Sequence, residues 1–336
     1  MTNGSSGDYA LATHDLRKSY GSRPALAGLD LAVPTGVVYG FLGPNGAGKT
    51  TTMRLLTGLI HPDAGTIEIL GRPFGRGDRR RLFEVGALIE SPAFYPFLSG
   101  RRNLRELAAS GAPVGPGRIE ELLELVGLRE RAGDKVSGYS LGMKQRLGIA
   151  GALLSDPTLL LLDEPANGLD PAGIVAMRET LRRLAALGKT VLVSSHLLAE
   201  VQQMADVVGI IAAGKLVREG RMSDLLNAEG LIRVRVVADD VERATTVLAS
   251  LAGPDDVRAS ADDEGWISIN STVLGTADVN RALGGAGIWA IGLESGNDLE
   301  MLFLELTGGS HEPGMAASFG AAGAGTRTDR SAETPS

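Results

Sequence analysis

The chain has no cysteine, no long apolar run and no excess of basic residues, and each of these absences excludes a class of function. Without cysteine among its 336 residues, it has no disulfide, no thiolate zinc site and no cysteine nucleophile. Its apolar runs are several residues long at most, whereas a membrane-spanning helix needs about 20. A net charge of −7 argues against nucleic-acid binding as the main function. We therefore expect a cytoplasmic protein that reaches a membrane only through a partner.

The order of apolar segments predicts two folded units between disordered ends. Residues 1–8 are polar and rich in Gly and Ser, which predicts a disordered leader and no signal peptide. From residue 9 to about 220, short apolar strands alternate with helical stretches, as in an α/β layered domain. Over 221–309 the order β-α-β-β-α-β, followed by a helix at 299–306, predicts a small ferredoxin-like accessory domain. The composition of residues 310–336 predicts a disordered tail.

A glycine-rich loop carries the strongest single motif of the chain. Residues 43–51 read Gly-Pro-Asn-Gly-Ala-Gly-Lys-Thr-Thr and fit the phosphate-binding pattern G-x-x-x-x-G-K-[ST] between an apolar run and a helical pattern. Backbone N–H groups of such a loop wrap an anion at a helix N-terminus. Lys49 can reach the β- and γ-phosphates of a nucleotide, and the Thr50 hydroxyl can ligate Mg²⁺. The predicted nucleotide contacts are Gly43, Pro44, Asn45, Gly46, Ala47, Gly48, Lys49, Thr50 and Thr51.

Two acids follow a second apolar run. Residues 159–162 are four leucines, which fit a central strand of a parallel sheet whose C-terminal end opens at a ligand crevice. Asp163 would then lie beside the phosphate loop and hold Mg²⁺. Glu164 is placed to accept a proton from an attacking water. The alternative is a solvated acidic turn, which the phosphate loop upstream makes the weaker interpretation.

A glycine-containing helix start precedes these acids. Residues 138–146 read Gly-Tyr-Ser-Leu-Gly-Met-Lys-Gln-Arg, in which Ser140 is a natural N-cap and Gly142 leaves the helix start open to close approach. An ordinary capped helix would also explain this pattern. Here, however, the chain resembles an ATP-binding cassette (ABC) ATPase, because the segment is similar to the signature loop of that family. Two positions differ from the family pattern: Leu141 replaces a glycine, and Met143 replaces a glutamine.

The resemblance covers residues 9 to about 220, since further motifs follow in the family's order. It implies that adenine stacks on Tyr20, although a core tyrosine is the alternative. It also implies that residues 167–170, Asn-Gly-Leu-Asp, cross a dimer interface and that His196 contacts the γ-phosphate. A helical subdomain is expected at about 91–157. The fold that the resemblance implies is an α/β P-loop cassette with a RecA-like core, an antiparallel β subdomain and this helical subdomain.

Glu90 occupies the position at which most ABC ATPases carry a glutamine that contacts magnesium and the attacking water. A glutamine amide donates or accepts hydrogen bonds, whereas an ionised glutamate only accepts them. The charge of Glu90 should favour Mg²⁺ and repel the γ-phosphate, so we hypothesise that it makes the active geometry more dependent on the metal. Together with the signature loop, this glutamate resembles the bacitracin-resistance type of drug-exporter ATPase.

The resemblance further implies a dimeric ATPase with ATP and Mg²⁺ as cofactors. In this family the phosphate loop of one subunit faces the signature helix of the other, so Ser140 and Gly142 would act on the partner's nucleotide. One complete set of motifs permits a homodimer that closes on ATP and opens after hydrolysis. The aromatic segment Phe94–Leu98 would contact a membrane permease, and packing inside the helical subdomain is the alternative for some of its rings.

The leading interpretation is the ATPase subunit of a bacterial exporter of drugs or peptide antibiotics, peripheral at the inner face of the cell membrane. A soluble cassette ATPase acting on ribosomes or DNA is the runner-up, but one phosphate loop, no sustained heptads and an acidic pI of about 5.3 count against it. A regulator that binds nucleotide without hydrolysis is the third interpretation. The intact Asp163, Glu164 and His196 count against that one. Export is favoured over import because residues 299–309 resemble the ending of drug-export cassettes.

Overall fold

A computed structural model describes most of the chain. The described residues are 9–90, 92–111, 114–227, 231–259, 265–270, 274–296 and 303. They form three sheets with helices between and around them, which confirms the mixed α/β fold that the sequence predicts. The predicted leader (1–8) and tail (310–336) lie outside the described residues, as does the predicted helix at 299–306 apart from Phe303.

The first sheet is antiparallel and has the strand order β2-β1-β4-β5. Its strands are β1 (Tyr9–Tyr20), β2 (Arg23–Pro34), β4 (Ala64–Ile69) and β5 (Arg72–Phe74). Alternate residues of β2, namely Leu29, Leu31 and Val33, are buried, as expected of a sheet with one face on a core. This face packs against the second sheet, because a single apolar cluster joins these leucines to Phe41 and Leu161 of the second sheet.

The second sheet has the order β10-β9-β3-β8-β7-β6 and is parallel except at its β10 edge. Its strands are β3 (Val38–Leu42), β6 (Val85–Leu88), β7 (Leu159–Asp163), β8 (Thr190–Ser195), β9 (Val207–Ala212) and β10 (Lys215–Arg221). All residues of β7 are buried because the strand has a core on each face: Leu159 and Leu161 pack toward the antiparallel sheet, and Leu160 and Leu162 pack toward helices. The leucine run therefore belongs to a central strand, and its C-terminal end carries Asp163.

Helices connect the parallel strands. The helix α1 (Lys49–Leu56) follows β3, three helices lie between β6 and β7, and two flank β8. These five are α2 (Gly100–Ala109), α3 (Arg118–Leu125), α4 (Leu141–Ala152), α5 (Pro171–Ala186) and α6 (Leu198–Met204), with α7 (Met222–Asn227) after β10. Short 3-10 helices occur at Arg79–Glu84, Val136–Gly138, Ala238–Asp240 and Pro254–Asp256. No helix formed by the described residues combines the length and the apolar character that crossing a bilayer requires.

The third sheet lies in the C-terminal part of the chain and is antiparallel, with the order β12-β13-β11-β14. Its elements follow each other as β11 (Leu231–Arg235), α8 (Val241–Ala252), β12 (Val257–Ala259), β13 (Trp266–Asn270), α9 (Thr276–Gly285) and β14 (Gly292–Gly296). They share a core of their own, which includes Val234, Leu248, Ile267 and Leu283. Phe303 packs elsewhere, against an apolar cluster around Val201 of α6.

Candidate active site

A cavity of about 430 Å³ opens at the C-terminal edge of the parallel sheet. It lies where the loop after β3, the start of α1 and the ends of β7 and β8 meet. The residues that line it are Ala25, Asn45, Gly46, Gly48, Lys49, Thr50, Thr51, Glu164, Asn167 and His196. Most of the predicted phosphate loop, the predicted base Glu164 and the predicted γ-phosphate contact His196 therefore share one space. A larger cavity of about 700 Å³ lies between the end of α1 and the strands β4 and β5, with an apolar and glycine-rich lining.

The phosphate loop needs its glycines for two physical reasons. Gly46 and Gly48 have positive φ values of 82° and 113°, a backbone conformation that side chains other than glycine rarely adopt. A Cβ atom at Gly48 would also lie 2.7 Å from the carbonyl oxygen of Ala25. The helix α1 begins directly afterwards at Lys49, without a side-chain N-cap and without an acidic residue in its first turn. Its first N–H groups and its positive dipole end are therefore available to an anion.

Lys49 is the buried cation of this cavity, with only 5% of its side chain exposed. Its Nζ atom donates to the carbonyl oxygens of Gly43 and Pro44, at 2.7 and 3.3 Å. The same atom lies 3.3 Å from Oε1 of Glu164. The lysine is thus positioned by its own loop and paired with the glutamate across the cavity.

Glu164 lies between Lys49 and a histidine. Its Oε2 atom lies 2.7 Å from Nδ1 of His196, which follows β8. The residue has a left-handed backbone conformation, with φ of 48°, which turns its side chain away from the direction of β7. This arrangement gives Glu164 one oxygen toward a cation and the other toward an imidazole, and both lie at the cavity that the phosphate loop forms.

Ser194 holds the two adjacent acids in place, and the sequence did not single it out. Its Oγ atom donates a hydrogen bond to Oδ1 of Asp163 and accepts one, at 2.9 Å, from the backbone N–H of Glu164. One hydroxyl can do both, because it has one donor and two acceptor lone pairs. A signal was present: Ser194 is a polar residue in the apolar strand β8, directly opposite Asp163 in the register of β7 and β8.

A further carboxylate, Glu200 of α6, adds negative charge behind the Glu164–His196 pair. Its side chain accepts a hydrogen bond from Ser195 at 3.3 Å. Burial raises the pKa of Glu200 above its usual range, and the negative charge of Glu164 raises it further, although the bond from Ser195 acts in the opposite direction. The surroundings of Glu164 therefore include an acidic residue, Glu200, that the sequence did not single out.

The other predicted site residues are not part of the lining of this cavity. Among the described residues that line it, none is Tyr20, Gly43, Pro44, Ala47, Glu90, Ser140, Gly142 or Asp163, although Asp163 directly precedes Glu164. Tyr20 is half exposed at the end of β1. Glu90 forms an ion pair with Arg54 of α1, a residue that the sequence did not single out. Ser140 caps α4, where its hydroxyl accepts from the backbone N–H of Met143 at 3.2 Å; Gly142 lies in the first turn of the same helix.

The aromatic segment Phe94–Leu98 has both exposed and packed rings. Tyr95 and Phe97 are exposed and lie next to each other, with ring centroids 5.7 Å apart. Phe94 instead packs against the core formed by the helices α2 to α5. The buried amide of Asn103 holds the segment, because it accepts from the backbone N–H of Tyr95 at 2.8 Å and donates to its carbonyl oxygen at 3.1 Å. Packing inside the helical region therefore accounts for Phe94, whereas Tyr95 and Phe97 are exposed and the permease contact stays a prediction.

The fold and the site define a P-loop nucleoside triphosphatase, with a phosphate loop between the parallel strand β3 and a helix and with acids at the end of β7, which β8 separates from β3 in the same sheet. The sequence pattern of the family described as ABC transporter matches residues 26–167. The bacitracin transport ATP-binding protein BcrA of Enterococcus faecalis is 38% identical over 304 residues, which cover 90% of this chain and 97% of that protein. The lantibiotic transport ATP-binding protein SrtF of Streptococcus pyogenes is 41% identical over 227 residues, or 68% of this chain and 97% of that one.

The chain therefore belongs to the ABC transporter ATP-binding family. A solved structure of an ATP-binding subunit of an ABC transporter has the same fold, with a TM-score of 0.58 and 30% identity over 65% of this chain and 92% of that one. The predictions of the family, of ATP hydrolysis and of a transport subunit are confirmed at this level. Since both relatives are named for transport, the comparisons favour transport over the soluble alternative.

Proposed function

We propose that this chain is the ATP-hydrolysing subunit of a bacterial exporter of peptide antibiotics or drugs, and that it drives a separate membrane permease. The observation that carries the proposal is the similarity to a bacitracin transport protein over 90% of the chain, well beyond the residues that the family pattern matches. The cavity supports the ATPase part, because it combines a phosphate loop, a buried lysine and a glutamate–histidine pair.

The proposed reaction is attack of water on the γ-phosphorus, with cleavage of its bond to the leaving ADP oxygen. The backbone of the phosphate loop and Lys49 would bind the phosphates, and Glu164 would take the proton of the water. His196, at 2.7 Å from Glu164, would orient that carboxylate and contact the γ-phosphate. Because Lys49 lies 3.3 Å from Glu164, a bound phosphate would compete for this cation and leave the glutamate free to act as base.

The residues also suit a magnesium ion. Mg²⁺ prefers oxygen ligands and is usually held by one or two carboxylates together with substrate phosphates. The Thr50 hydroxyl at the start of α1 and the buried Asp163 carboxylate at the end of β7 are such ligands. When bound, the ion would neutralise charge on the phosphates. The proposed place of Glu90 in this set depends on a movement of its side chain, because its carboxylate pairs with Arg54.

A second subunit would complete the site. Ser140 and Gly142 lie at the N-terminus of α4, outside the cavity formed by their own chain, so this end of the helix is available to a nucleotide bound elsewhere. We propose a homodimer in which each α4 N-terminus faces the partner's phosphate loop. Trapping of this dimer by ATP in a hydrolysis-deficient variant is the expected consequence.

We further propose the domain limits 9–220 for the cassette, with a helical subdomain at about 91–157, and 221–309 for an accessory domain. The helices α2, α3 and α4 share a core with α5, which supports the helical subdomain. The separate core and the strand order β12-β13-β11-β14 support a ferredoxin-like accessory domain.

The exposed rings of Tyr95 and Phe97 are the proposed contact to the permease, which would hold the chain at the inner face of the cell membrane. The segment is connected to the signature loop: Ser137 donates its N–H to the carbonyl oxygen of Pro96 at 2.9 Å, and Val136 donates to that of Leu98 at 3.0 Å. A displacement of the aromatic segment by the permease would therefore be transmitted to Val136 and Ser137, just before Ser140.

The test is co-expression with a candidate membrane permease from the same genome, followed by co-purification and an ATPase assay with bacitracin or a lantibiotic. We expect a stable complex whose phosphate release rises when the peptide is added. Replacing both exposed rings, as Tyr95→Ser with Phe97→Ser, should abolish co-purification and leave the basal ATPase of the isolated chain unchanged. Failure of the wild-type chain to associate, or a complex that no peptide stimulates, would contradict the proposal.

A further inference from the structure

The helix α1 carries two cations that pair with two different glutamates. Lys49, its first residue, pairs with Glu164 inside the cavity, and Arg54, in its second turn, pairs with Glu90. The Glu90 side chain is 62% exposed and contacts the Arg54 guanidinium directly. Glu90 also has φ of 67°, in the left-handed region that side chains other than glycine rarely adopt. Such a conformation persists only where surrounding contacts hold it, and the pair with Arg54 is one such contact.

Arg54 also lies close to the proposed adenine platform. The hydrogen bond to Glu90 is the largest of the interactions that raise the pKa of the Arg54 guanidinium, and the Tyr20 phenol makes smaller contributions in the same direction. One arginine thus contacts the charged residue that replaces the family's usual glutamine and lies beside the aromatic residue at the end of β1. Its position on α1 places both contacts five residues after the lysine of the phosphate loop.

A glutamate at this position creates a difficulty that a glutamine does not. Before a metal is bound, a free carboxylate close to the γ-phosphate would repel it, because like charges at short distance are unfavourable. A carboxylate paired with a guanidinium outside the cavity exerts much less of this repulsion. In this structure the Glu90 carboxylate pairs with Arg54, and Glu90 does not line the cavity.

We propose that Arg54 is a positioning residue that holds the Glu90 carboxylate outside the phosphate cavity until a magnesium-bound nucleotide attracts it. The inference rests on the proposed function, in which Glu90 approaches the nucleotide during the cycle. Because the pair is exposed, its effect on ATP affinity is about two- to fivefold, the range that surface ion pairs supply. A weak ion pair suits this role, because a strong one would keep the Glu90 carboxylate on Arg54 even when a magnesium-bound nucleotide is present.

The experiment is a double-mutant cycle on nucleotide affinity, measured by isothermal titration calorimetry with the full chain in EDTA, so that it does not depend on turnover. Arg54→Gln should weaken metal-free ATP binding about two- to fivefold, because the released Glu90 then repels the γ-phosphate. ADP binding should not change, since ADP has no γ-phosphate. In the Glu90→Gln background the same arginine substitution should have no effect, and Arg54→Lys should retain most of the wild-type affinity.

Added Mg²⁺ provides a second test, in which the loss of ATP affinity caused by Arg54→Gln should disappear. In the Glu164→Gln background, where ATP persists, saturating Mg²⁺ should remove the loss caused by Arg54→Gln, because the metal attracts the free carboxylate. The matched control is Arg72→Gln, which breaks another exposed arginine–glutamate pair, Arg72–Glu84 at 2.6 Å, on β5. This control should leave the affinity for both nucleotides unchanged.

Three outcomes would overturn the proposal: an unchanged ATP affinity in Arg54→Gln, an equal loss for ATP and ADP, or a loss that persists in Glu90→Gln. An equal loss would assign Arg54 to the adenine end, through Tyr20. These outcomes leave the proposed function intact as long as the wild-type chain hydrolyses ATP with its permease. If Glu90→Gln does not restore metal-free ATP binding in the Arg54→Gln background, the charge of Glu90 does not act on the γ-phosphate, and the role of Glu90 fails together with that of Arg54.

Discussion

Glu164 and Glu90 follow the neighbouring parallel strands β7 and β6, and both have a left-handed backbone, with φ of 48° and 67°. Each pairs with a cation of the same helix, Lys49 or Arg54. Their surroundings differ, because the side chain of Glu164 is 22% exposed and that of Glu90 is 62% exposed. The same residue type with the same local conformation therefore lines the phosphate cavity in one case and does not line it in the other.

Differences in burial and in neighbouring side chains therefore give the two carboxylates different chemical environments. The carboxylate of Glu164 lies 2.7 Å from His196, and its backbone N–H bonds to Ser194, an arrangement that suits the proposed role as base. Glu90 pairs with Arg54 where both side chains are exposed to solvent, and an ion pair in such surroundings contributes little stability. A residue that acts as a base needs the first environment, and one that moves between positions needs the second.

The largest expected effect separates the two glutamates by turnover. Glu164→Gln should lower phosphate release about 100-fold or more, because the group that accepts the proton is lost. Glu90→Gln should change it less than about tenfold and should mainly alter its dependence on Mg²⁺. Both variants should still bind ATP in calorimetry, and the first should accumulate as an ATP-bound dimer in size-exclusion chromatography. Wild-type turnover in Glu164→Gln, or a larger loss in Glu90→Gln, would reverse the comparison.

A smaller effect is expected at the anchor of Glu164. Ser194→Ala removes the donor to Asp163 and the acceptor for the Glu164 backbone N–H, so both acids lose their fixed positions. We expect turnover to fall about tenfold and the free energy of unfolding in urea to fall by about 1–2 kcal/mol. Ser155→Ala is the control, because this exposed hydroxyl bonds to Phe83 away from the cavity. Equal turnover of the two serine variants would mean that Ser194 does not position the acids.

The sequence predicts the phosphate loop and the strand before Asp163 much better than it predicts the surroundings of Glu90, for a physical reason. The phosphate loop needs glycine at positions such as Gly48, where the surrounding backbone leaves no room for a side chain. The loop can therefore be recognised from its sequence motif alone. The run before Asp163 is readable because a strand with a core on each face must be apolar throughout. The family, the mixed α/β fold and ATP hydrolysis are confirmed on this basis, whereas the roles of single site residues and the domain limits stay predictions.

Contacts between distant side chains could not be predicted in the same way. Arg54 and Glu90 are 36 residues apart, and Ser194 and Asp163 are 31 apart. Which side chains meet depends on the strand register and on the rotamers that packing allows, and neither is encoded in a local pattern. The sequence could place Glu90 at the family's glutamine position, but it could not show that an arginine of α1 meets it outside the cavity.

The smallest expected effect concerns Glu200, whose negative charge adds to that of Glu164. Burial and the charge of Glu164 raise the pKa of Glu200 above its ordinary value of about 4.5, so the folded state holds its proton more tightly than the unfolded state does. The resulting stability is fully present below pH 4.5 and is lost as pH rises through the raised folded pKa. Glu200→Gln removes this loss, so the variant should gain stability relative to the wild type between pH 4.5 and pH 7, by less than about 1 kcal/mol.

Urea unfolding at several pH values measures this difference, and Glu120→Gln provides a control of opposite sign. The Arg101 hydrogen bond lowers the pKa of Glu120, so that carboxylate contributes stability above its ordinary value and loses it as pH falls. Its replacement should therefore cost stability at pH 7 relative to acid conditions. If the two variants follow the same pH trend, the pKa of Glu200 is not raised in the folded state. Opposite trends would show that burial governs the pKa of Glu200, whereas the hydrogen bond from Arg101 governs that of Glu120.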